Sequence, residues 1–171
     1  MADVQASTQA VETLFTQVFR DGNYDLADKI LTDDFRFQYP FPGFAPGPEG
    51  IKQFSREFRQ GFPGFEVEVN DLFGTETASG EAEVSIRWTL RGRHTGTFLG
   101  IQPTGNYVTV SAIGVYTGPR KPGDPLPIGT TPDGTSEGTL QAGWLEMDTL
   151  GLLQQIGAVQ PLQDLVPNLR Y

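Results

Sequence analysis

The sequence predicts a protein of the α+β class, in which helices pack on one face of a mostly antiparallel sheet. Helical periodicity dominates the first third of the chain, and alternation of apolar and polar residues dominates the rest. The chain also holds 21 glycines and 13 prolines among 171 residues, about one position in five. That content excludes an all-helical fold, and the length suits one domain with its own core.

Two helices and a strand open the chain. Apolar residues spaced by three and four positions predict an amphipathic helix that buries Val11, Leu14, Phe15, Val18 and Phe19. A shorter helix is predicted from Tyr24 to Leu31. A half-buried strand follows, in which Phe35, Phe37 and Tyr39 alternate with polar residues.

A third helix and a run of strands complete the pattern. Residues 40–50 are rich in glycine and proline and form a loop, and the helix after it buries Ile51, Phe54 and Phe58. Alternation then predicts strands around residues 65–69, 82–90, 107–116 and 144–147, followed by a closing helix over residues 149–156.

We expect one domain over residues 1–171, with its core in residues 8–157 and a tail over residues 161–171. Residues 117–143 hold eleven glycines or prolines and only scattered apolar positions. This segment is too long for a hairpin turn, so it is either a functional lid or a mobile insertion.

Composition excludes several classes of partner. A net charge of −9 disfavours nucleic acid and anionic membranes. The absence of cysteine excludes disulfides and thiolate metal sites, and a single histidine makes a zinc site unexpected. Because the chain has neither a long apolar run nor the basic and apolar regions of a signal peptide at its start, we expect a soluble, cytoplasmic protein.

Acid–base chemistry on an organic molecule is what the residue inventory permits. His94 is in phase with Trp88 on the apolar face of a predicted strand, where it is either a core histidine or a proton donor facing a cavity. Tyr39 either packs in the core or offers its phenol to a pocket.

Three residues near the end of the chain form a second candidate group. Trp144, Glu146 and Asp148 share one face of the last strand, which is either a solvent face or a pocket wall. Asp148 immediately precedes the closing helix, so it either caps that helix or serves as a proton-transferring carboxylate.

Several stretches together resemble the SnoaL-like polyketide cyclase family, also called ester cyclases, of the nuclear-transport-factor-2-like (NTF2-like) superfamily. They occur in the family's order, at residues 46–54, 87–89, 93–101, 103–105, 144–148 and 150–157. The resemblance implies a cone, in which a curved, mostly antiparallel sheet and N-terminal helices enclose a cavity.

The resemblance also implies a function. It predicts a cofactor-independent enzyme, without a metal, that closes a ring in a polyketide-like carbonyl compound by aldol-type condensation. Asp148 would be the general acid/base, and His94 and Tyr39 would hydrogen-bond the accepting carbonyl oxygen.

Trp88, Trp144 and Glu146 are the further residues that we predict to contact the substrate. A homodimer or homotetramer is expected, because family members commonly pair through their exposed sheets. The alternatives are a non-catalytic binding or assembly module of the same fold, and a related epoxide hydrolase or hydroxylase.

Overall fold

The structure is a computed structural model, which describes residues 3–118, 139–161 and 164. It confirms the predicted α+β class. The helices are α1 (Val4–Thr13, extended by a π-helical segment over Leu14–Phe19), α2 (Tyr24–Ile30), α3 (Gly47–Gly61) and α4 (Thr149–Gln155). The strands are β1 (Leu31–Gln38), β2 (Glu66–Glu76), β3 (Ala82–Arg93), β4 (Tyr107–Thr117) and β5 (Leu140–Met147).

The five strands form one curved, unclosed sheet in the order β1-β5-β4-β3-β2. Only β1 and β5 run parallel, and the other three pairs are antiparallel. Strand β3 lies within the sheet and alternates as predicted: Val84, Ile86, Trp88 and Leu90 are buried on the inner face. The helices lie on that inner side, so the core forms between them and the sheet.

The helical segment before α2 packs deep into this core. Leu14, Phe15, Val18 and Phe19 are all at most 3% exposed. The π-helical geometry appears in the bond from the Arg20 amide to the Phe15 carbonyl, which spans five residues. Phe15 and Phe19 are thereby both directed at the sheet, where they contact the ring of Trp88.

Several boundaries differ from the predicted ones because strand pairing extends the elements. Strand β1 starts at Leu31 rather than Phe35, since Leu31 pairs with Leu140 of β5. Strand β2 reaches Glu76 through its pairing with β3, and a bulge at Asn70 interrupts the alternation that indicated a shorter strand.

The predicted insertion is shorter than residues 117–143, because β4 ends at Thr117 and β5 already begins at Leu140. Residues 119–138 lie outside the described residues, as does the predicted tail apart from Pro161 and Asp164.

The side chain of Gln155 fixes helix α4 to the sheet, because it hydrogen-bonds the backbone of β4 as a neighbouring strand would. Strand β5 pairs with β4 only as far as Ala112, which leaves the edge of β4 open before that residue. The Gln155 carboxamide accepts from the Thr109 amide at 2.8 Å and donates to the Thr109 carbonyl at 3.0 Å. These two bonds satisfy the open edge and set the position of the helix that follows Asp148.

Candidate functional site

Aromatic rings fill the inner side of the sheet around Trp88. The Trp88 ring is fully buried, with ring centroids of Phe15 at 5.0 Å and Phe19 at 5.5 Å. These are contact distances for aromatic pairs. The indole Nε1 is buried without a hydrogen-bond partner among the described residues. The interior near Trp88 is therefore packed, and it holds a polar donor that has no acceptor.

Tyr116 lies beside this cluster in a space made by two glycines. A Cβ atom on Gly143 would lie 2.6 Å from the Tyr116 ring, and one on Gly114 would lie 2.8 Å from it. Gly143 is also the cross-strand partner of Tyr116. The two glycines therefore let the ring lie close to the sheet. Burial raises the pKa of the Tyr116 hydroxyl well above its usual value.

Tyr39 follows β1 and turns its ring toward the same cluster. Its ring centroid is 4.6 Å from that of Phe37 and 5.6 Å from that of Phe54. The hydroxyl lies against the backbone of Gly50, where a Cβ atom would come within 2.3 Å of it. The hydroxyl is buried and has no hydrogen-bond partner among the described residues, and burial raises its pKa. Tyr39 is therefore a neutral phenol at neutral pH.

A surface groove leads to Tyr39, and we name it the β1 groove. Its volume is about 330 Å³, within the range of small-molecule sites. It is bounded by the free edge of β1 and by the segment that enters α3. Its lining residues are Phe35, Arg36, Phe37, Tyr39, Phe44, Ala45, Pro46 and Gly47. The lining contains four aromatic rings, one of which is the phenol of Tyr39, one cation and no carboxylate.

His94 lies at the opposite end of α3 from Tyr39. Its ring packs on Phe62, the residue after α3, whereas the Tyr39 hydroxyl lies against Gly50 in the first turn. Twelve residues of helix separate those two positions, a distance of about 18 Å. The structure therefore does not bring His94 and Tyr39 together at one carbonyl oxygen.

The contacts of His94 tie it to the segment between β3 and β4. Its Nδ1 atom accepts from the Thr104 amide at 3.3 Å and lies 3.1 Å from the Thr104 hydroxyl. The ring is fully buried, its Nε2 atom has no partner among residues 3–118, 139–161 and 164, and burial lowers its pKa. The neutral tautomer with the proton on Nε2 fits these contacts.

The remaining three predicted residues lie on the outer face of the sheet. The Trp144 side chain is 46% exposed. Glu146 is exposed beside it and accepts a long hydrogen bond, 3.4 Å, from the Gln38 amide. Asp148 is exposed at the end of the strand. The structure thus separates the six predicted residues into three on the inner side and three on the outer.

Asp148 caps helix α4. Its Oδ1 atom accepts from the Gly151 amide at 2.8 Å. A Cβ atom on Gly151 would lie 2.1 Å from Oδ2, so glycine at this position allows the carboxylate to fold over the helix end. The capping role, one of the two open interpretations, is therefore present in the structure.

Asp148 also borders a shallow outer groove of about 340 Å³. The groove is lined by Arg87, Ser111, Ala112, Ile113, Glu146, Met147 and Asp148. It lies across β3, β4 and β5 on the face opposite the aromatic cluster. A carboxylate here has a potential binding surface beside it, but its surroundings are open to solvent.

The sequence analysis missed Arg36, which lines the β1 groove, and Tyr116, which belongs to the buried aromatic cluster. Arg36 occupies a polar position in the alternation of β1, and nothing in the pattern distinguishes it from a solvated surface residue. Tyr116 was included only as part of a strand. The two glycines that surround it, Gly114 and Gly143, were the available signal, since glycine within a strand often marks a close approach.

Neither a metal site nor a membrane span appears in the described part of the chain. Within it, no group of three or more His, Asp or Glu residues is arranged to hold a metal ion. In the same residues, no helix has the length and apolar character needed to cross a bilayer.

The curved sheet, with helices on its inner side, defines a protein of the NTF2-like fold class. Residues 9–118 match the model of the SnoaL-like polyketide cyclase family. This match covers more than half of the chain, so the chain belongs to that family. The resemblance predicted from the sequence is confirmed.

Solved structures agree with this assignment. TsrD from Streptomyces laurentii is 25% identical, with a TM-score of 0.65 over 91% of this chain and 98% of its own. A candidate SnoaL-like polyketide cyclase from Jannaschia sp. CCS1 is 23% identical, with a TM-score of 0.67 over 93% and 97%. AclR from Streptomyces galilaeus, a candidate hydroxylase, is 16% identical, with a TM-score of 0.66 over 96% and 89%. No curated protein matches the sequence.

Proposed function

We propose that this chain binds a polyketide-like, hydrophobic carbonyl compound in the β1 groove. The observation that carries the proposal is the aromatic lining of this groove, which includes Tyr39, whose hydroxyl is buried just behind it without a hydrogen-bond partner among the described residues. A buried donor without an acceptor costs about 1–3 kcal/mol in the folded protein. A ligand's carbonyl oxygen removes that cost, whereas a hydrocarbon does not.

The chemistry of the groove fits such a ligand. Because its pKa is raised, Tyr39 keeps its proton and donates to an acceptor. Phe35, Phe37 and Phe44 supply apolar surface for the rest of the molecule.

Binding of benzoylacetone, an aromatic dicarbonyl compound, tests this site. We expect saturable binding to the wild-type protein and binding about three- to tenfold weaker for Tyr39→Phe, which removes only the hydroxyl. Tyr24→Phe is the matched control, because the Tyr24 hydroxyl lies 3.3 Å from that of Ser55 and outside the groove. Equal binding by Tyr39→Phe and the wild type would contradict the proposal.

Ring closure is the second candidate function, and family membership favours it. Here Asp148 is the proposed general base. It removes a proton from a carbon between two carbonyls, and the resulting enolate attacks a third carbonyl carbon of the same molecule. A carbon–carbon bond forms, and the new alkoxide takes the proton back from Asp148. Arg87, in the same outer groove, is the nearby donor for the accepting oxygen.

An aromatic triketone tests the reaction. In 1-phenyloctane-1,3,7-trione, the carbon between the first two carbonyls can close a six-membered ring on the third. We expect turnover by the wild type and a loss of about 100-fold or more in Asp148→Asn. Asparagine caps a helix as well as aspartate does, so this variant removes the base and keeps the fold. Turnover that is unchanged in Asp148→Asn would exclude the role of Asp148.

If benzoylacetone binds and no ring closure is observed, we conclude that the chain is a non-catalytic binding module. The capping bond of Asp148 favours this alternative, because one carboxylate oxygen already serves the helix. His94 is then a supporting residue that holds the segment between β3 and β4 through Thr104.

As an alternative to ring closure in the outer groove, we also propose that the chain forms a homodimer through the outer face of its sheet. Phe73, Val115 and Trp144 lie in one cross-strand row, and Phe73 is 63% exposed. The next row carries Arg87 and Glu146, of opposite charge. A surface with apolar and oppositely charged groups is complementary to a second copy of itself.

Sedimentation velocity tests the dimer. Ile113 lies on this face and is 55% exposed. We expect a dimer for the wild type and a monomer for Ile113→Glu, which places a charge in the apolar contact. A monomeric wild type would contradict the proposal.

The predicted cytoplasmic location stays a prediction, which cell fractionation can test.

A further inference from the structure

Residues 40–46, which we name the 40–46 segment, connect β1 to α3 with few hydrogen bonds. Three of these seven residues are prolines, which have no amide hydrogen to donate. Within the described part of the chain, one hydrogen bond holds the segment: the Ala45 amide donates to Oε1 of Gln53 at 2.9 Å. Gln53 is a half-buried residue of α3. A single polar contact therefore ties the segment to the helix that follows it.

Two phenylalanines provide the apolar part of this attachment. The ring centroid of Phe44 is 4.9 Å from that of Tyr39 and 5.4 Å from that of Phe54. Phe41 lies toward the other end of α3, with its centroid 6.0 Å from that of Phe98. Both phenylalanines are only partly buried. Apolar contacts have no strict direction, so they can be exchanged for contacts with a ligand.

Glycines with a left-handed backbone lie within and directly after the 40–46 segment. Gly43 has a φ of +101° and Gly47 has a φ of +70°. A Cβ atom on Gly43 would meet nothing within 4 Å, so its backbone conformation, and not close packing, favours glycine there. Such positions can absorb the changes in φ and ψ that let a loop swing. The segment thus has points about which it can turn.

The 40–46 segment covers the hydroxyl of Tyr39. The position of a Cβ atom on Gly50 would be 2.3 Å from this hydroxyl and 1.9 Å from the Ala45 carbonyl oxygen. The two oxygens therefore lie side by side, yet the hydroxyl has no hydrogen-bond partner among the described residues. Phe44 and Ala45 also line the β1 groove. A ligand in the groove is thus separated from the phenol oxygen by this segment.

We propose that the 40–46 segment is a lid over Tyr39 and that Gln53 holds it closed. A ligand carbonyl that accepts from the Tyr39 hydroxyl takes the place of Ala45, so the bond between Ala45 and Gln53 opens. This inference rests on the proposed binding function, to which it adds how the ligand reaches the phenol. Gln53 is a positioning residue, because it acts through the Ala45 backbone. No covalent step is involved.

The bond between Ala45 and Gln53 competes with the ligand, because it stabilises the closed form of the free protein. The apparent affinity of a ligand is reduced by the fraction of molecules that are in the open form. Loss of one hydrogen bond of this kind raises that fraction by about two- to tenfold. Removal of the Gln53 acceptor should therefore tighten binding, whereas simple damage to the groove would weaken it.

Stopped-flow and calorimetric binding of benzoylacetone to variants of the full chain tests the lid. We expect Gln53→Leu to bind about two- to tenfold more tightly than the wild type, through faster association. Gln53→Glu keeps an acceptor oxygen and should bind as the wild type does. Gln60→Leu is the matched control, because it makes the same change at an exposed position of α3 outside the groove. Unchanged or weaker binding by Gln53→Leu would overturn the inference.

Hydrogen exchange at the Ala45 amide follows the lid itself. In the wild type, this amide is protected by its bond to Gln53. We expect saturating benzoylacetone to speed its exchange toward the rate in free Gln53→Leu, because the bound ligand holds the segment open. Slower or unchanged exchange of Ala45 on binding would show that the segment stays closed and would overturn the lid.

Tyr39→Phe separates the lid from the proposed function. In this background the ligand gains no hydrogen bond from lifting the segment, so Gln53→Leu should no longer tighten binding. An equal gain in both backgrounds would overturn the lid. If Tyr39→Phe weakens binding but Gln53→Leu does not tighten it, the lid is wrong and the proposed function stands. If benzoylacetone does not bind, or Tyr39→Phe changes nothing, the proposed function is wrong and the lid with it.

Discussion

The inner and outer faces of the same sheet differ in whether their polar side chains have partners. On the inner side, the Tyr39 hydroxyl and the Trp88 indole nitrogen are buried and have no partner in the part of the chain that the structure describes. On the outer face, Arg87 pairs with Asp71 at 2.5 Å and Arg91 pairs with Glu68 at 2.5 Å. Natural proteins satisfy most buried polar groups. These donors lie on the inner side, where we propose that the ligand binds, although part of the predicted site lies outside.

Substitution of the two tryptophans is expected to give the largest difference in stability between the two faces. Trp88 is fully buried and Trp144 is 46% exposed. We expect Trp88→Ala to lower the free energy of unfolding by about 3–5 kcal/mol, because it leaves a cavity in the core. Trp144→Ala should change the stability of the monomer by less than about 1 kcal/mol.

Urea denaturation of both variants measures this contrast. The monomer is best compared in the Ile113→Glu background, so that dimer formation does not contribute. Similar losses of unfolding free energy from the two substitutions would show that the outer face is as tightly packed as the inner one, which would contradict the structure.

Substitution of Gly143, beside the Tyr116 ring, is expected to give the next largest loss of stability. A Cβ atom at Gly143 would lie 2.6 Å from the Tyr116 ring and 2.9 Å from the Phe37 ring. We expect Gly143→Ala to cost about 1–3 kcal/mol, because both rings must move. It should also weaken benzoylacetone binding, since Phe37 lines the β1 groove. Ser111→Ala, on the outer face, is the control, and a neutral Gly143→Ala would contradict this packing.

The cap at Asp148 gives a smaller effect and separates structure from catalysis. We expect Asp148→Ala to lower stability by about 1 kcal/mol, since the Gly151 amide loses its acceptor. Asp148→Asn should stay within about 0.5 kcal/mol of the wild type, because asparagine keeps that acceptor. Thermal unfolding of the two variants measures this difference. Equal destabilisation by both would mean that the negative charge at the helix end, and not the hydrogen bond, provides the stabilisation.

His94 gives the smallest expected effect, which is a dependence of stability on pH. Burial lowers the pKa of His94 in the folded protein below its ordinary value of about 6.5. The unfolded chain then binds more protons between these two values, so stability is full above pH ~6.5 and decreases as the pH falls toward the folded pKa. One group contributes at most about 1.4 kcal/mol per pH unit.

Denaturation of the wild type and His94→Gln between pH 7.5 and 5.5 isolates this contribution. Glutamine can still accept from the Thr104 amide but does not titrate. We expect the stability of the wild type to fall relative to that of the variant as the pH decreases. Parallel curves for the two proteins would show that His94 has the same pKa in both states.

Local patterns predicted most of the fold. The alternation of Val84, Ile86, Trp88 and Leu90 placed β3 and its buried face correctly, because one face of an inner strand packs on helices. The family strings predicted the cone, and the family match confirms them. Strand ends were less predictable. The pairing of Leu31 with Leu140 extends β1, and that pairing depends on residues more than a hundred positions apart.

The candidate site was less predictable than the fold. Periodicity placed Trp144, Glu146 and Asp148 on one face, but could not show whether that face is concave. It also could not show that His94 and Tyr39 lie at opposite ends of α3, since that separation arises from the path of two loops around the helix. Arg36 was not singled out, because its position in the alternation of β1 is typical of an exposed surface residue.

A crystal structure of the protein with benzoylacetone tests the central claim most directly. We expect the phenyl ketone in the β1 groove, with its oxygen within hydrogen-bond distance of the Tyr39 hydroxyl, about 2.5–3.0 Å. A ligand bound instead beside Asp148 in the outer groove would contradict the account and would assign the functional site to the other face of the sheet.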